Sequence, residues 1–155
     1  MRKSWQEKLR ENKGLPKVVI AKGKMAKRWG KGSFVVPAPI EVDEIMKKVP
    51  KGKLITVVEI RKILAKKHQT DYCCPLTSGI FPMIAAQAAE EEKNQGQKQI
   101  TPWWRTLKVN GILNPKFPGA PELQKKILEK EGHQVLKRGK NYFIPNYERY
   151  LIRIF

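Results

Sequence analysis

Few side chains of this 155-residue chain could do covalent chemistry. Its only thiols are adjacent, Cys73 and Cys74. Neighbouring cysteines rarely bond to each other, and two cannot build a disulfide framework. The two histidines, His68 and His133, stand at no ligand spacing to each other or to a Cys-x-x-Cys pair, so neither a metal nor a cofactor is expected. Both cysteines read as small apolar residues kept reduced in a cytosol. What remains is non-covalent chemistry. Pro102-Trp103-Trp104-Arg105 sets two indoles beside a guanidinium. An indole stacked on a base is worth about 1–3 kcal/mol. The same rings could instead fill a core, with Arg105 a structural hydrogen-bond donor, and both readings stay open. Lys24, Lys27, Arg28, Lys31 and Lys108 are cations suited to neutralising phosphates.

The charge balance favours such a partner. Lys and Arg number 32 against 14 acids, a net charge of +18. Solubility asks for only about 2 to 8 in a small domain. A positive field of this size suits a polyanion, above all nucleic acid. Half of it lies in residues 1–31, which hold eleven basic residues and two acids, with Trp5 and Trp29 among them. That stretch reads as a basic arm, partly tied down by Val18-Val19-Ile20 and Phe34-Val35-Val36, and equally as a surface-laid extension. No apolar run is long enough to span a membrane, and no secretory leader is evident at Met1 to Gly14. A monomer in the cytoplasm, associated with the nucleoid, is the expectation.

The elements that must position these residues follow from spacing. Val42, Ile45, Met46 and Val49 recur at helical intervals behind Glu41, Asp43 and Glu44, and Pro50-Lys51-Gly52 stops that helix. Leu54-Ile55 is a bridging strand. Thr56-Val57-Val58-Glu59 is a capping box opening a second helix, with Val57, Ile60, Ile63 and Leu64 inward and Lys62, Lys66 and Lys67 outward. A third helix starts at Thr77 or Ser78 as N-cap, with Pro82 in its first turn and the small residues 84–89 as its body. Asn110-Gly111 between apolar pairs signals a β-hairpin. A helix from Pro121, with Leu123, Ile127 and Leu128 on one face, ends at Gly132. Residues 134–136 and 142–144 form a second hairpin, and 147–155 a short helix or strand. The fold class is α+β, mainly α: a winged helix-turn-helix with a C-terminal hairpin and a basic N-terminal extension. Its parts are 1–38, the basic extension; 39–133, the winged-helix domain; and 134–155, the hairpin and tail.

From Val42 to His133 the chain resembles the DNA-binding and catalytic domain of the methylated-DNA–protein cysteine methyltransferases. The residues that carry the likeness are Val49-Pro50-Lys51-Gly52, Leu54-Ile55-Thr56 before a helix, a small-residue helix, Pro102-x-x-Arg105, the Asn110-Gly111 turn, the Gly119 loop and Gln124 to His133 with its Glu131-Gly132-His133 close. In that family Pro-Cys-His-Arg supplies a thiolate that takes an alkyl group from a flipped base. Here Trp103 stands at the cysteine position and Trp104 at the histidine position, while Pro102, Arg105 and Glu131 remain. An indole cannot accept an alkyl carbon by this chemistry, so the resemblance implies no enzyme. It is similar in this to the alkyltransferase-like branch, which carries Trp in place of the acceptor and binds alkylated DNA without repairing it.

The resemblance also places residues at a DNA surface: Thr56, Val57, Ser78, Ala85 and Ala86, beside Lys24, Lys27, Arg28, Lys31 and Lys108 from the charge pattern. Val57 replaces the family's phosphate-rotating tyrosine, and Ala85 or Ala86 its arginine finger. The implied function is non-enzymatic DNA binding to a duplex, with alkylated guanine recognised for repair. The alternative is a structural or RNA-associated basic winged-helix protein without damage recognition. An enzyme using Cys73 or Cys74 as a substitute alkyl acceptor is the third reading.

Overall fold

Thr56 and Glu59 cap each other as their spacing demands. In the computed structural model, which describes residues 3–153, the Thr56 amide and hydroxyl both donate to Glu59 Oε1, at 2.7 and 2.6 Å, and the Val58 amide donates to Thr56 Oγ1 at 3.2 Å. This box starts the helix α4 (Val57–Lys67). Before it lie α1 (Trp5–Arg10), β1 (Lys17–Ala21), α2 (Gly23–Trp29), β2 (Gly32–Val36), α3 (Pro39–Lys47) and β3 (Ile55–Thr56). After it come β4 (Tyr72–Cys73), α5 (Thr77–Asn94), β5 (Thr106–Leu107), α6 (Glu122–Lys130), β6 (Leu136–Arg138) and β7 (Asn141–Phe143). The class is α+β, with six α-helices among the described residues and three small sheets. The side chains of Trp29 and Ser78, and the chain end at Ile154 and Phe155, lie outside the described set. The stacking expected of Trp29 and the nucleic-acid contact expected of Ser78 lie outside it as well.

Residues 3–36 form ordered elements packed on the rest of the chain. Val18-Val19-Ile20 and Phe34-Val35-Val36 pair as antiparallel β1 and β2, and β2 runs parallel to β4, giving the order β1-β2-β4. Leu9 of α1 is buried in the same core as Met46, Ile60, Phe81 and Trp103. The start of α1 is held by Glu91 of α5, whose carboxylate accepts from the Trp5 and Gln6 amides at 3.1 and 2.9 Å. Free amides at a helix N-terminus carry partial positive charge, so a carboxylate there satisfies both the hydrogen bonds and the dipole.

The helix α5 lies across the centre of the fold, against α1, α3 and α4. Ala85, Ala86, Ala88 and Ala89 are all buried on it. Small side chains there let α1 and α3 approach closely. The expected N-cap is corrected: Leu76 precedes the helix and no side chain caps it. Pro82 is therefore in the second turn and not the first. The turn above it forgoes one hydrogen bond, which burial of Phe81, Ala85 and Ala86 offsets.

Asn110-Gly111 turns the chain without making a hairpin. Both residues take left-handed φ, 66° and 75°, and the Lys108 amide donates to the Ile112 carbonyl at 2.8 Å. No ladder follows, because each flank has another partner. Thr106 and Leu107 pair in parallel with Ile55 and Thr56, and Ile112 bridges Phe143. A C-terminal hairpin forms with its strands shifted from the expected 134–136 and 142–144: β6 and β7 pair across a two-residue turn at Gly139-Lys140, so Lys137 and Arg138 belong to a strand. The chain then returns to β3, where the Leu54 amide donates to the Tyr150 carbonyl and the Ile152 amide to the Leu54 carbonyl. Gly132, at φ 97°, ends α6 as its position suggests. No helix among the described residues is long and apolar enough to cross a membrane.

Candidate nucleic-acid interface

Residues 102–105 are held by a buried polar knot. Gln124 of α6 is fully buried; its amide nitrogen donates to the Trp104 and Thr106 carbonyls at 3.1 and 3.0 Å, and its oxygen accepts from the Asn114 amide. The short 3-10 turn Trp103–Arg105 is thereby locked to α6. Trp103 is 0 % exposed and lies edge-on to Trp104 and Phe117, both at 5.7 Å between ring centres. Its indole nitrogen donates to Glu90 Oε1 at 3.2 Å. The ring fills the core and forms no wall of an open pocket. Trp104 is half-buried, with its indole nitrogen donating to Glu131 Oε2 at 2.7 Å.

Arg105 grips the same carboxylate. Its Nε and Nη2 donate to Glu131 Oε1 and Oε2 at 3.0 and 2.9 Å, and its Nη1 donates to the Val49 carbonyl at 2.7 Å. This fork explains an acid at the end of α6, where the helix dipole would otherwise oppose it. Burial alone would raise the Glu131 carboxyl. The hydrogen bonds from Arg105 and Trp104 outweigh burial and hold it below its ordinary 4.5. The family positions Pro102, Trp103, Trp104, Arg105 and Glu131 therefore come together, as a structural joint between α3, α6 and β5.

Next to that joint, His133 is buried with neither ring nitrogen hydrogen-bonded, its ring edge-on to Tyr150 at 4.8 Å. Burial pushes its pKa below the ordinary 6.5. The unfolded chain then binds the proton more readily than the folded one just below pH 6.5, so stability falls as pH falls through that window. His133→Phe should remove this acid-side loss and leave stability at neutral pH equal or higher by about 1 kcal/mol, because two unpaired buried nitrogens disappear. Urea unfolding across that pH range measures it; an unchanged pH profile would assign the loss to another group.

The residues expected at a DNA surface separate. Lys24, Lys27 and Arg28 are exposed on α2, Lys31 just after it, and Lys108 on the 108–112 turn. None of these five makes an ion pair with a described residue. Val57 is half-buried in the first turn of α4. Thr56, Ala85 and Ala86 are corrected: all three are buried, the first by its own cap and the alanines under α1 and α3, so none presents a side chain to a partner.

Several acids are engaged within the fold. Glu41 accepts from the Ala38 amide and Lys67, and lies against His68. Asp43 accepts from Thr101, Asp71 from the Ser33 amide, and Glu90, Glu91 and Glu131 from the groups already described. These carboxylates are spent on donors of the chain itself, while Glu44, Glu122, Glu129 and Glu148 are exposed alongside the cations. The partners of Glu90 and Glu91 are remote in the chain, so no local signal in the sequence marks these carboxylates.

Two cationic side chains not singled out from the sequence join Arg28. Arg61 and Lys62 of α4 line one cleft of about 410 Å³ with Arg28, Ala65, Asp71, Tyr72, Cys73 and Pro75. Burial pushes the Cys73 thiol up to about 12. Thiolate is then negligible at neutral pH, and Cys73 is no activated nucleophile. Among the described residues no group of three or more His, Cys, Asp or Glu could hold a metal ion.

No family model matches the chain, and no curated protein matches it. Two solved chains are similar to it in fold. S. pombe Atl1 in complex with damaged DNA containing O6-carboxymethylguanine is 21 % identical, with a TM-score of 0.48, over 75 % of this chain and 94 % of that one. S. pombe ATL in complex with DNA is 20 % identical, with a TM-score of 0.49, over 75 % and 94 %.

Proposed function

We propose that this chain is a non-enzymatic nucleic-acid-binding protein that holds duplex DNA by its phosphates, as a monomer at the nucleoid. The observation that carries this is a set of exposed cations without acidic partners: Lys24, Lys27, Arg28, Lys31 and Lys108 pair with no described residue, while Glu41, Asp43, Glu90, Glu91 and Glu131 satisfy internal donors. The order α3, α4, α5, then the β6–β7 hairpin, supports a winged-helix reading. The hairpin adds Lys137 and Arg138, packed over the Tyr142 and Phe143 rings, and Lys140 at its turn. Of the helix that this pattern would send into a groove, α5, the body is buried against its neighbours, the start is exposed at Gly79 and Ile80, and the last turns carry Glu90-Glu91-Glu92 before Lys93-Asn94. Contact through backbone phosphates, with little base readout, follows from that distribution.

Anisotropy titrations of a short duplex against salt test the proposal. Affinity should fall steeply as salt rises, because each neutralised phosphate releases a counterion. Lys24→Glu with Lys27→Glu should weaken binding to all sequences alike and reduce the log–log salt slope by roughly 2. Affinity indifferent to salt would sink it. Double-stranded RNA of equal length, preferred at the same salt, would select the RNA-associated alternative instead.

Recognition of alkylated guanine is the second reading. It draws on Pro102, Arg105 and Glu131 at the family positions and on the half-buried Trp104. The enclosed Trp103 gives it no stacking surface. Tighter binding to a duplex carrying one alkylated guanine would support it, and equal affinity would leave backbone binding alone. Incubation with that duplex should leave the intact protein mass unchanged, since Trp103 takes no alkyl carbon and the Cys73 thiol is protonated.

A further inference from the structure

The cleft between α2, α4 and β4 has the composition of a nucleotide site. One wall is apolar: Ala65, the Tyr72 ring, Cys73 and Pro75. The Tyr72 ring is fixed, stacked on Phe34 at 5.3 Å with its hydroxyl donating to the Gly30 carbonyl. The lining also carries the cations Arg28, Arg61 and Lys62 and the carboxylate of Asp71. Asp71 is occupied, with Oδ2 accepting from the Ser33 amide at 2.8 Å. Arg61 uses Nε on the Val57 carbonyl, and no described residue pairs with its Nη atoms, with Arg28 or with Lys62. The volume, about 410 Å³, is that of a small-molecule pocket.

We infer that this cleft binds a nucleotide through a terminal phosphate monoester. Three cations and one carboxylate leave a charge of two, which matches the charge of about −1.5 to −2 on a monoester at neutral pH. A backbone diester carries half of that. Two guanidiniums supply paired donors for the phosphate oxygens, and the base lies along the Ala65–Tyr72–Pro75 wall. The ligand is either a free mononucleotide or the 5′-phosphorylated end of a strand. The second source rests on the nucleic-acid reading above; the first does not.

Calorimetric titration of the full chain with 5′-AMP, adenosine and inorganic phosphate tests this. 5′-AMP should bind at least about 10-fold tighter than either fragment, since both halves of the cleft contribute and each charge-assisted contact is worth about that factor. Arg61→Ala and, separately, the exposed Arg28→Ala should each weaken 5′-AMP about 10-fold, with the melting temperature unchanged for Arg28→Ala. A 5′-phosphorylated single strand that displaces 5′-AMP, and binds about 10-fold tighter than its 5′-hydroxyl twin, identifies a strand end; equal affinity of the two strands with 5′-AMP still bound identifies the free nucleotide. 5′-AMP binding no tighter than adenosine or phosphate, or unaltered in both variants, overturns the proposal. Duplexes with 5′-hydroxyl ends report phosphate-backbone binding separately, so either reading can fail while the other stands.

Discussion

Replacing Trp103 by alanine should cost the fold about 3–5 kcal/mol, the range for removing a large aromatic from a packed core. The ring is fully enclosed and meets Trp104 and Phe117 edge-on. Its loss opens a cavity and takes the indole donor from Glu90. Trp103→Phe keeps most of the packing and loses that donor, so its cost should be smaller by roughly half. Guanidinium unfolding of the three proteins gives both differences. A loss under about 1 kcal/mol for the alanine variant would show that the side chain is not core and would return it to the reading of a ligand wall. Duplex affinity of the folded alanine variant, measured at low temperature, should match the parent, since Trp103 touches no surface.

Arg105→Ala should be comparably damaging, at about 3–5 kcal/mol, because it leaves a buried carboxylate unmatched. The Glu131 side chain is 8 % exposed and would keep only the Trp104 indole and the Gly52 amide as donors, with no charge to match it. The Val49 carbonyl would lose its partner at 2.7 Å as well. The expected signature is non-additivity. Arg105→Met combined with Glu131→Leu should recover most of the stability, since an apolar pair of similar volume needs no compensation. The single variant should also change the acid limb. Wild-type Glu131, held below 4.5, contributes stability above that value and loses it as pH falls through its lowered pKa. Without Arg105 that contribution is gone at neutral pH, so the acid-side slope flattens. Additive losses in the double variant would show that Arg105 and Glu131 act independently.

Much of the local structure is written in neighbouring residues. The Thr56–Glu59 cap and the stop at Gly132 each depend on a few adjacent positions and form as read, whereas Asn110-Gly111 turns the chain without the expected hairpin and the C-terminal strands pair 136–138 with 141–143 in place of 134–136 with 142–144. The strong positive charge is likewise a property of composition alone. The candidate site was only half legible. Lys24, Lys27, Arg28 and Lys31 are exposed as cations in a Gly-broken stretch should be. Arg61 and Lys62 had no mark of a site, because nothing in their own helix says that α2 and β4 close a cleft over them.

The sequence determined the helix caps and stops, the periodic helices and the sign of the net charge, because caps, periodicity and charge are short-range or additive. The tertiary structure decided what each candidate side chain does, because burial depends on what arrives from elsewhere in the chain. α1 arrives on α5 through Glu91 and encloses Ala85 and Ala86. Gln124 and Glu131 arrive on the 102–105 turn and make Trp103 and Arg105 parts of a joint. The flanks of Asn110-Gly111 find β3 and Phe143 in place of each other. A side chain with the chemistry to meet a polyanion does so only where packing leaves it in water.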